Sequence, residues 1–158
     1  KLNNYNSVLM LEDDVTFTDN FTEIYNAGVN QLLDKSIKYD MLYFSANLYG
    51  DGNYLIDDNL AKISSAKAGH AYIVNSSVYD IIINAFSDIQ WNAPHNWHHG
   101  NPNRMNMDTW YKNIQQLGNV YGIYPSLAEQ RPSHSDLLNT YCDYGLSNAY
   151  NKILEKTI

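Results

Sequence analysis

Three consecutive carboxylates, Glu12, Asp13 and Asp14, directly follow the run Ser7-Val8-Leu9-Met10-Leu11, which has an apolar core. Such a short apolar run predicts a buried strand in the centre of a sheet, covered on both faces. Acids at its carboxyl end would lie where open α/β sheets bind their ligands. The three charges repel one another, and a divalent cation, which prefers oxygen ligands, would turn that repulsion into attraction. Glu12 and Asp14 are two residues apart and so point to one side of an extended strand. We predict a metal or nucleotide site here; the alternative is that Asp13 or Asp14 only caps the following turn.

A second group of side chains that could bind a ligand lies between Ser87 and Asn106, where the sequence shows no hydrophobic periodicity. A connection of this length usually has a function, and its aromatic content argues against simple disorder. The histidines of His95-Asn96-Trp97-His98-His99 are spaced as in some zinc sites, but no cysteine and no further ligand at a conventional spacing accompanies them. We therefore favour a binding loop over a zinc site.

The elements that must position these groups follow from hydrophobic periodicity and capping residues. Asn20 and Glu23 have the spacing of a capping box, which predicts a helix from Phe21 to Leu33. The run Met41–Phe44 predicts a second buried strand. The remaining predicted elements, in chain order, are a loop or hairpin over Leu48–Asn59, a short edge strand at Leu60–Ile63, a strand at Ala68–Val74, a helix with apolar positions at Val78, Ile81, Ile82, Ala85 and Phe86, a helix from Met107 to Leu117 capped by Asn106 and stopped by Gly118, a strand at Val120–Tyr124, and a helix at Ser147–Lys156. This alternation predicts a mixed α/β sheet.

Composition limits the classes of function. The chain has 158 residues and is 44% hydrophobic, which suits a single domain spanning residues 1–158. Its net charge is −7 and its ten basic residues are scattered, so nothing indicates a nucleic-acid partner, and an anionic substrate would need a local cation. No apolar run approaches the roughly 18 residues of a membrane span. The chain starts at Lys1 and enters a strand within a few residues, so we expect a fragment of a longer chain. The compartment stays open between cytoplasm and secretory pathway.

Two other potentially reactive residues are predicted to be structural. Cys142 is the only cysteine, which excludes an internal disulfide and predicts a free thiol or a buried apolar residue. His70 lies within an apolar strand, where a hydrogen-bonded core histidine is favoured over a ligand.

The octet Val8-Leu9-Met10-Leu11-Glu12-Asp13-Asp14-Val15 closely resembles the strand-plus-acid motif of glycosyltransferase family 25, which contains the lipopolysaccharide and procollagen galactosyltransferases. The resemblance extends in order over roughly Ser7 to Leu137. The further segments that carry it are Tyr43-Phe44-Ser45, Gly69-His70-Ala71-Tyr72-Ile73-Val74, Asn106-Met107-Asp108-Thr109-Trp110, Tyr124-Pro125-Ser126-Leu127 through Gln130, and Ser135-Asp136.

The resemblance implies a GT-A-like fold, with a mixed sheet flanked by helices and without the first nucleotide-binding strand-helix segment of the family. It implies inverting transfer of a hexose, typically galactose, from a nucleotide sugar such as UDP-galactose. The acceptor would be a glycan or a hydroxylated protein, and the cation would be Mn²⁺ or another divalent ion. The lack of the first segment raises the expectation that this piece alone is inactive.

The resemblance also implies roles for individual residues. Asp108 would be the base that takes the proton from the acceptor hydroxyl, or else an ordinary acid in the first turn of a helix. The expected metal ligands are Asp14, Glu12 and His134. The expected donor contacts are Glu12, Asp13, Ser135 and Asp136, although Asp136 could equally cap a C-terminal helix. The composition of the loop, and not the resemblance, gives the expectation that Trp91, Trp97 and His98 line the acceptor cleft, because flat aromatic rings stack on sugars.

Two other functional classes stay open at this point. One is a non-catalytic glycosyltransferase-like module that binds a glycan or a partner. The other is a receiver domain, which also opens with an apolar strand ending in acids. A receiver needs a phosphoryl-accepting Asp at the end of a later strand, whereas the run Met41–Phe44 is followed by Ser45. The sequence therefore disfavours the receiver.

Overall fold

The fold is a mixed α/β arrangement around one six-stranded sheet, seen in a computed structural model that describes residues 3–84, 107–135, 139–143 and 146–155. The sheet has the strand order β1-β6-β3-β7-β5-β4, and two further two-stranded ladders pair β2 with β8 and β9 with β10. The strands are β1 (Ser7–Leu11), β2 (Val15–Phe17), β3 (Met41–Leu48), β4 (Tyr54–Asp57), β5 (Leu60–Lys62), β6 (Ala66–Asn75), β7 (Val120–Ile123), β8 (Ala128–Gln130), β9 (Ser133–Ser135) and β10 (Thr140–Cys142). The helices are α1 (Phe21–Asp34), α2 (described over 79–84, after a 3₁₀ turn at Ser76–Val78), α3 (Met107–Gln116) and α4 (Leu146–Glu155).

Strand direction brings three chain segments to the same edge of the sheet. β3 and β7 are parallel, and β6 is antiparallel to both β1 and β3, so β1, β3 and β7 run in one direction. Their carboxyl ends therefore meet at one edge. The acids after β1 lie at this edge together with the chain that leaves β7.

The core has two layers, one on each face of the sheet. Side chains alternate along β3, so Met41 and Tyr43 join one cluster while Leu42 and Phe44 join the other. On the first face α3 and α4 cover the sheet with residues such as Ile114 and Tyr150. On the opposite face α1 contributes Ile24 and Leu32. Tyr43, Phe44, Ile114 and Tyr150 are almost fully buried.

Most predicted elements are confirmed. α1 begins at Phe21 as expected, and β3 is buried and central. The predicted loop or hairpin region contains β4, which pairs with β5 in the strand predicted at Leu60–Ile63. α3 ends before Gly118, which has the positive φ of +94° that a helix stop often requires. The last predicted helix is α4. Of the helix predicted after Val78, Ile81 and Ile82 pack on the core, whereas Ala85 and Phe86 fall outside the described residues.

Three predictions are wrong. β1 is an edge strand whose five residues are exposed, because within the described residues only β6 pairs with it. Asn20 precedes α1, but its side chain makes no capping hydrogen bond. The strand beginning at Leu60 is not at an edge, since it lies between β7 and β4, and both Leu60 and Ala61 are fully buried.

Candidate functional site

The carboxylates of Glu12 and Asp14 converge on one side chain, Gln130 at the end of β8. The Gln130 amide nitrogen donates to Glu12 Oε2 at 3.0 Å and to Asp14 Oδ2 at 3.2 Å. The two acids accordingly face a common point, which the partially positive N–H groups of the amide now occupy. Glu12 is exposed and Asp14 is half-buried, so solvent reaches this point. Oxygen ligands that share a focus suit a hard divalent cation.

A short β-ladder holds the turn formed by residues 12–14 against the chain that follows β7. Val15 pairs with Gln130 in the antiparallel β2–β8 ladder, and the Arg131 N–H donates to the Asp14 carbonyl at 2.8 Å. Farther along, the Thr18 N–H donates to the Leu127 carbonyl at 3.0 Å. Before residue 14, the Glu12 N–H donates to the His70 carbonyl at 2.9 Å. Hydrogen bonds on both sides of residue 14 thus fix the backbone that presents the carboxylates.

A buried polar network connects the chain that follows β7 to the central sheet. The Ser126 hydroxyl lies 2.9 Å from Ser45 Oγ and donates to the Ala128 carbonyl at 2.8 Å. Ser45 Oγ in turn lies 2.9 Å from His70 Nε2. His70 and Ser45 are fully buried, which confirms the prediction of a hydrogen-bonded core histidine. The network joins the middle of β3 and the middle of β6 to the chain that leads to Gln130.

A pair of buried tyrosines connects α3 to the same strands. The Tyr72 and Tyr111 hydroxyls are 2.6 Å apart, and both residues are buried. Burial raises the pKa of Tyr72 far above its usual range, and the neighbouring Tyr111, Tyr43 and Glu12 raise it further. The Glu12 N–H donates to the carbonyl of His70, two residues before Tyr72 in β6. Tyr111 is in the helix that contains Asp108.

The structure brings together only some of the predicted site residues. Glu12 and Asp14 share Gln130, and Asp13 lies in the exposed turn between them. His134 is an exposed residue of β9, opposite Tyr141. The predicted residues whose side chains or whole positions lie outside the described part of the chain are Asp108, Ser135, Asp136, Trp91, Trp97, His98, His95 and His99. Asp108 and Ser135 still have backbone positions, at the second residue of α3 and the last residue of β9.

Gln130 is the site residue that the sequence predictions did not assign. A lone glutamine carries no signal of ligand binding, and it lies 118 positions away from Glu12 along the chain. The signal that could have selected it is its place in the segment from Tyr124 onward that resembles the family motif. Within the described ranges, no three His, Cys, Asp or Glu side chains are grouped as a metal site would require.

Comparison of the chain with protein-family models, with curated proteins and with solved structures finds no match. In the described part of the chain, no helix has the length and apolar character needed to cross a membrane.

Proposed function

We propose that this chain belongs to an inverting hexosyltransferase of the GT-A type, related to glycosyltransferase family 25. It would transfer a hexose, galactose in the first instance, from a nucleotide sugar to a hydroxyl of a glycan or a hydroxylated protein. The observation that carries the proposal is the convergence of Glu12 and Asp14 on Gln130 at the carboxyl end of a strand. Open α/β sheets bind ligands at such ends.

Asp14 and Glu12 fit the role of cation ligands because both offer carboxylate oxygens at one solvent-accessible point. Mn²⁺ or another divalent ion bound there would supply Lewis-acid stabilisation of the diphosphate leaving group. The net charge of −7 adds to the need for such a cation, since an anionic donor would otherwise be repelled. Gln130 keeps the two carboxylates together when no cation balances them. Asp13, His134, Ser135 and Asp136 are the further residues proposed to contact the donor or the metal.

Asp108 is the proposed base. Its helix, α3, is tied to the central strands through the Tyr72–Tyr111 pair, and Tyr72 is affected by the Glu12 charge. The proposed base and the proposed cation ligands thus belong to elements that meet at β6. Acceptor recognition is assigned to Trp91, Trp97 and His98 by analogy with the aromatic stacking of other sugar-binding clefts.

Calorimetric titration of the chain with UDP-galactose, with and without Mn²⁺, tests the donor and metal assignments. We expect Mn²⁺-dependent binding that Asp14→Asn weakens at least tenfold. Asp19→Asn is the matched control, because Asp19 is an exposed acid five positions away and the change in charge is the same. Equal binding by Asp14→Asn and wild type would contradict the metal assignment.

Product analysis with a hydroxyl acceptor separates an enzyme from a binding module. In the full-length protein, Asp108→Asn should retain donor binding and lose transfer, and full activity of that variant would exclude Asp108 as the base. Donor binding by the full-length wild-type protein without any transfer would favour the non-catalytic module.

A further inference from the structure

The side-chain amide of Gln130 contacts the carboxylates of both Glu12 and Asp14. Its nitrogen, Nε2, is 3.0 Å from Glu12 Oε2, 3.2 Å from Asp14 Oδ2 and 3.4 Å from Asp14 Oδ1. An amide nitrogen donates hydrogen bonds and offers no lone pair to a cation, whereas the oxygen of the same group has two lone pairs. The chemistry of this point therefore depends on which atom of the Gln130 amide faces the acids.

The backbone around Gln130 is fixed, but its terminal amide can turn. Gln130 pairs with Val15 in the β2–β8 ladder, and the next residue, Arg131, donates its N–H to the Asp14 carbonyl at 2.8 Å. The torsion χ3 of glutamine is broad and two-fold, so a turn of about 180° exchanges the nitrogen and the oxygen. Among the described residues, no group donates a hydrogen bond to Gln130 Oε1. Within this part of the chain, the turn therefore breaks only the bonds to the two acids.

We propose that Gln130 turns its amide when a divalent cation binds and becomes the third ligand, through Oε1, beside Glu12 and Asp14. This role rests on the proposed function, from which the cation at the two acids is taken. Within the described ranges, no third His, Cys, Asp or Glu side chain completes a metal-binding group there. Amide oxygens are ordinary ligands of hard cations. One side chain thus serves both conditions, because its N–H groups balance the carboxylates before a cation binds and its oxygen binds the cation afterwards.

The distances at Gln130 suit this exchange. Adjacent ligands of an octahedral cation with bonds of about 2.1 Å are about 3.0 Å apart, because the edge of an octahedron is √2 times its bond length. Gln130 Nε2 already lies 3.0 Å from Glu12 Oε2 and 3.2 Å from Asp14 Oδ2. An oxygen that replaces this nitrogen is therefore at the spacing of neighbouring ligands, and the backbone does not have to move. Longer bonds of about 2.3–2.6 Å, as in Ca²⁺ sites, would require the side chains to separate.

Gln130→Met tests whether the amide is a ligand, since Met has a similar volume and no amide oxygen or nitrogen. Mn²⁺ alone is titrated into the full-length protein, and the electron paramagnetic resonance signal of free Mn²⁺ reports binding. We expect Gln130→Met to weaken Mn²⁺ binding about tenfold or more, because even groups that only orient a metal ligand contribute about 10–100-fold. Gln116→Met is the matched control, since Gln116 is an exposed residue of α3, and it should bind like wild type. An amide that merely competes with the cation predicts the opposite sign, so equal or tighter binding by Gln130→Met would overturn the proposal.

Gln130→Glu separates the two tasks of the side chain, because it keeps an oxygen ligand and removes the N–H donors. Its Mn²⁺ affinity should equal or exceed that of wild type, and Gln116→Glu corrects for the added charge. Without divalent cations, Gln130→Glu should melt at a lower temperature than wild type, since a third carboxylate then faces Glu12 and Asp14. Mn²⁺ should raise the melting temperature of Gln130→Glu more than that of wild type. If Gln130→Glu binds Mn²⁺ no better than Gln130→Met, residue 130 is not a ligand.

Asp14→Asn in the same titration distinguishes an error about Gln130 from an error about the cation site. If Asp14→Asn weakens Mn²⁺ binding and Gln130→Met does not, the acids bind the cation and the role of Gln130 is wrong. If neither substitution changes Mn²⁺ binding, the cation site of the proposed function is wrong as well. Wild type that binds no Mn²⁺ at millimolar concentration would contradict a three-ligand site that forms without the donor, whereas the titration with UDP-galactose still decides the proposed function.

Discussion

Replacing Gln115 with Met should destabilise the domain strongly, because the Gln115 side-chain amide forms hydrogen bonds with the backbone at the start of β6. Its Oε1 accepts from the Ala66 N–H at 3.0 Å, and its Nε2 donates to the Ala66 carbonyl at 2.9 Å. The same nitrogen donates to the Tyr43 hydroxyl at 3.1 Å. Gln115 is 2% exposed, so water cannot take over these bonds. Met has a similar volume and fills the same space without hydrogen-bonding groups.

The magnitude follows from the groups left behind. A buried backbone group without a partner costs about 1–3 kcal/mol, so the two groups of Ala66 predict a loss of about 2–6 kcal/mol. The more apolar Met side chain recovers part of this, at about 0.8 kcal/mol per buried methylene. Since the free energy of unfolding of a domain is about 5–15 kcal/mol, the variant should lose a large fraction of its stability.

Urea unfolding followed by far-ultraviolet circular dichroism measures this loss. Gln116→Met is the matched control, because Gln116 is the next residue of α3 and is exposed. Its free energy of unfolding should stay within about 0.5 kcal/mol of wild type, as surface substitutions usually do. If both variants unfold at the same urea concentration, the amide bonds of Gln115 do not stabilise the domain and the reasoning fails.

Three further stability predictions follow from buried and surface groups. The Tyr150 hydroxyl is buried with no hydrogen-bond partner in the described residues, so Tyr150→Phe should raise the free energy of unfolding by about 1–3 kcal/mol. A Cβ on Gly122 would collide with that hydroxyl. Gly122→Ala should therefore lower the free energy of unfolding by about 1–3 kcal/mol in the wild-type background and by much less in the Tyr150→Phe background. An equal loss in both backgrounds would refute the contact. The Lys35 Nζ atom lies 2.8 Å from Asp57 Oδ2, and this contact lowers the pKa of the Asp57 carboxyl. A carboxyl group whose pKa is lowered by folding stabilises the domain at pH values above its ordinary pKa of about 3.9. This stabilisation is lost as the pH falls through the lowered pKa. In thermal melts between pH 7 and 2, the melting temperature of Asp57→Asn should therefore fall less steeply at acid pH than that of wild type. The same fall in melting temperature for both proteins would contradict this.

The fold class and most of the elements could be predicted from local patterns. α1, α3 and α4 have apolar positions at helical spacing, and β3 is a continuous apolar run that is buried in the middle of the sheet. In α1 and β3 the residues that define the pattern pack on the core, and in α3 Tyr111 and Ile114 do so, whereas Leu117 is exposed. Pattern and environment therefore agree.

The position of β1 could not be predicted in the same way. Its run is as apolar as the start of β3, yet one strand is exposed at the edge and the other is central. A local pattern records which residues could be buried and does not record which neighbours are present. The same holds for Gln130, whose importance comes from contacts with residues at the opposite end of the chain. Asn20 shows the converse, because a capping sequence does not oblige the side chain to form the bond.

The two parts of the proposed site have separate anchors. The acids depend on the β2–β8 ladder and on Gln130, whereas the helix that contains Asp108 depends on Gln115 and Tyr111. These two sets share no residue, but the Glu12 charge acts on Tyr72, which is bonded to Tyr111. Additive effects are therefore expected for changes of α3 that keep this tyrosine pair in place. Loosening α3 through Gln115→Met should leave the spacing of the Glu12 and Asp14 carboxylates unchanged. If a folded α3 variant nevertheless loses donor binding, the donor itself must contact α3, and the proposed division between donor site and base would have to be redrawn.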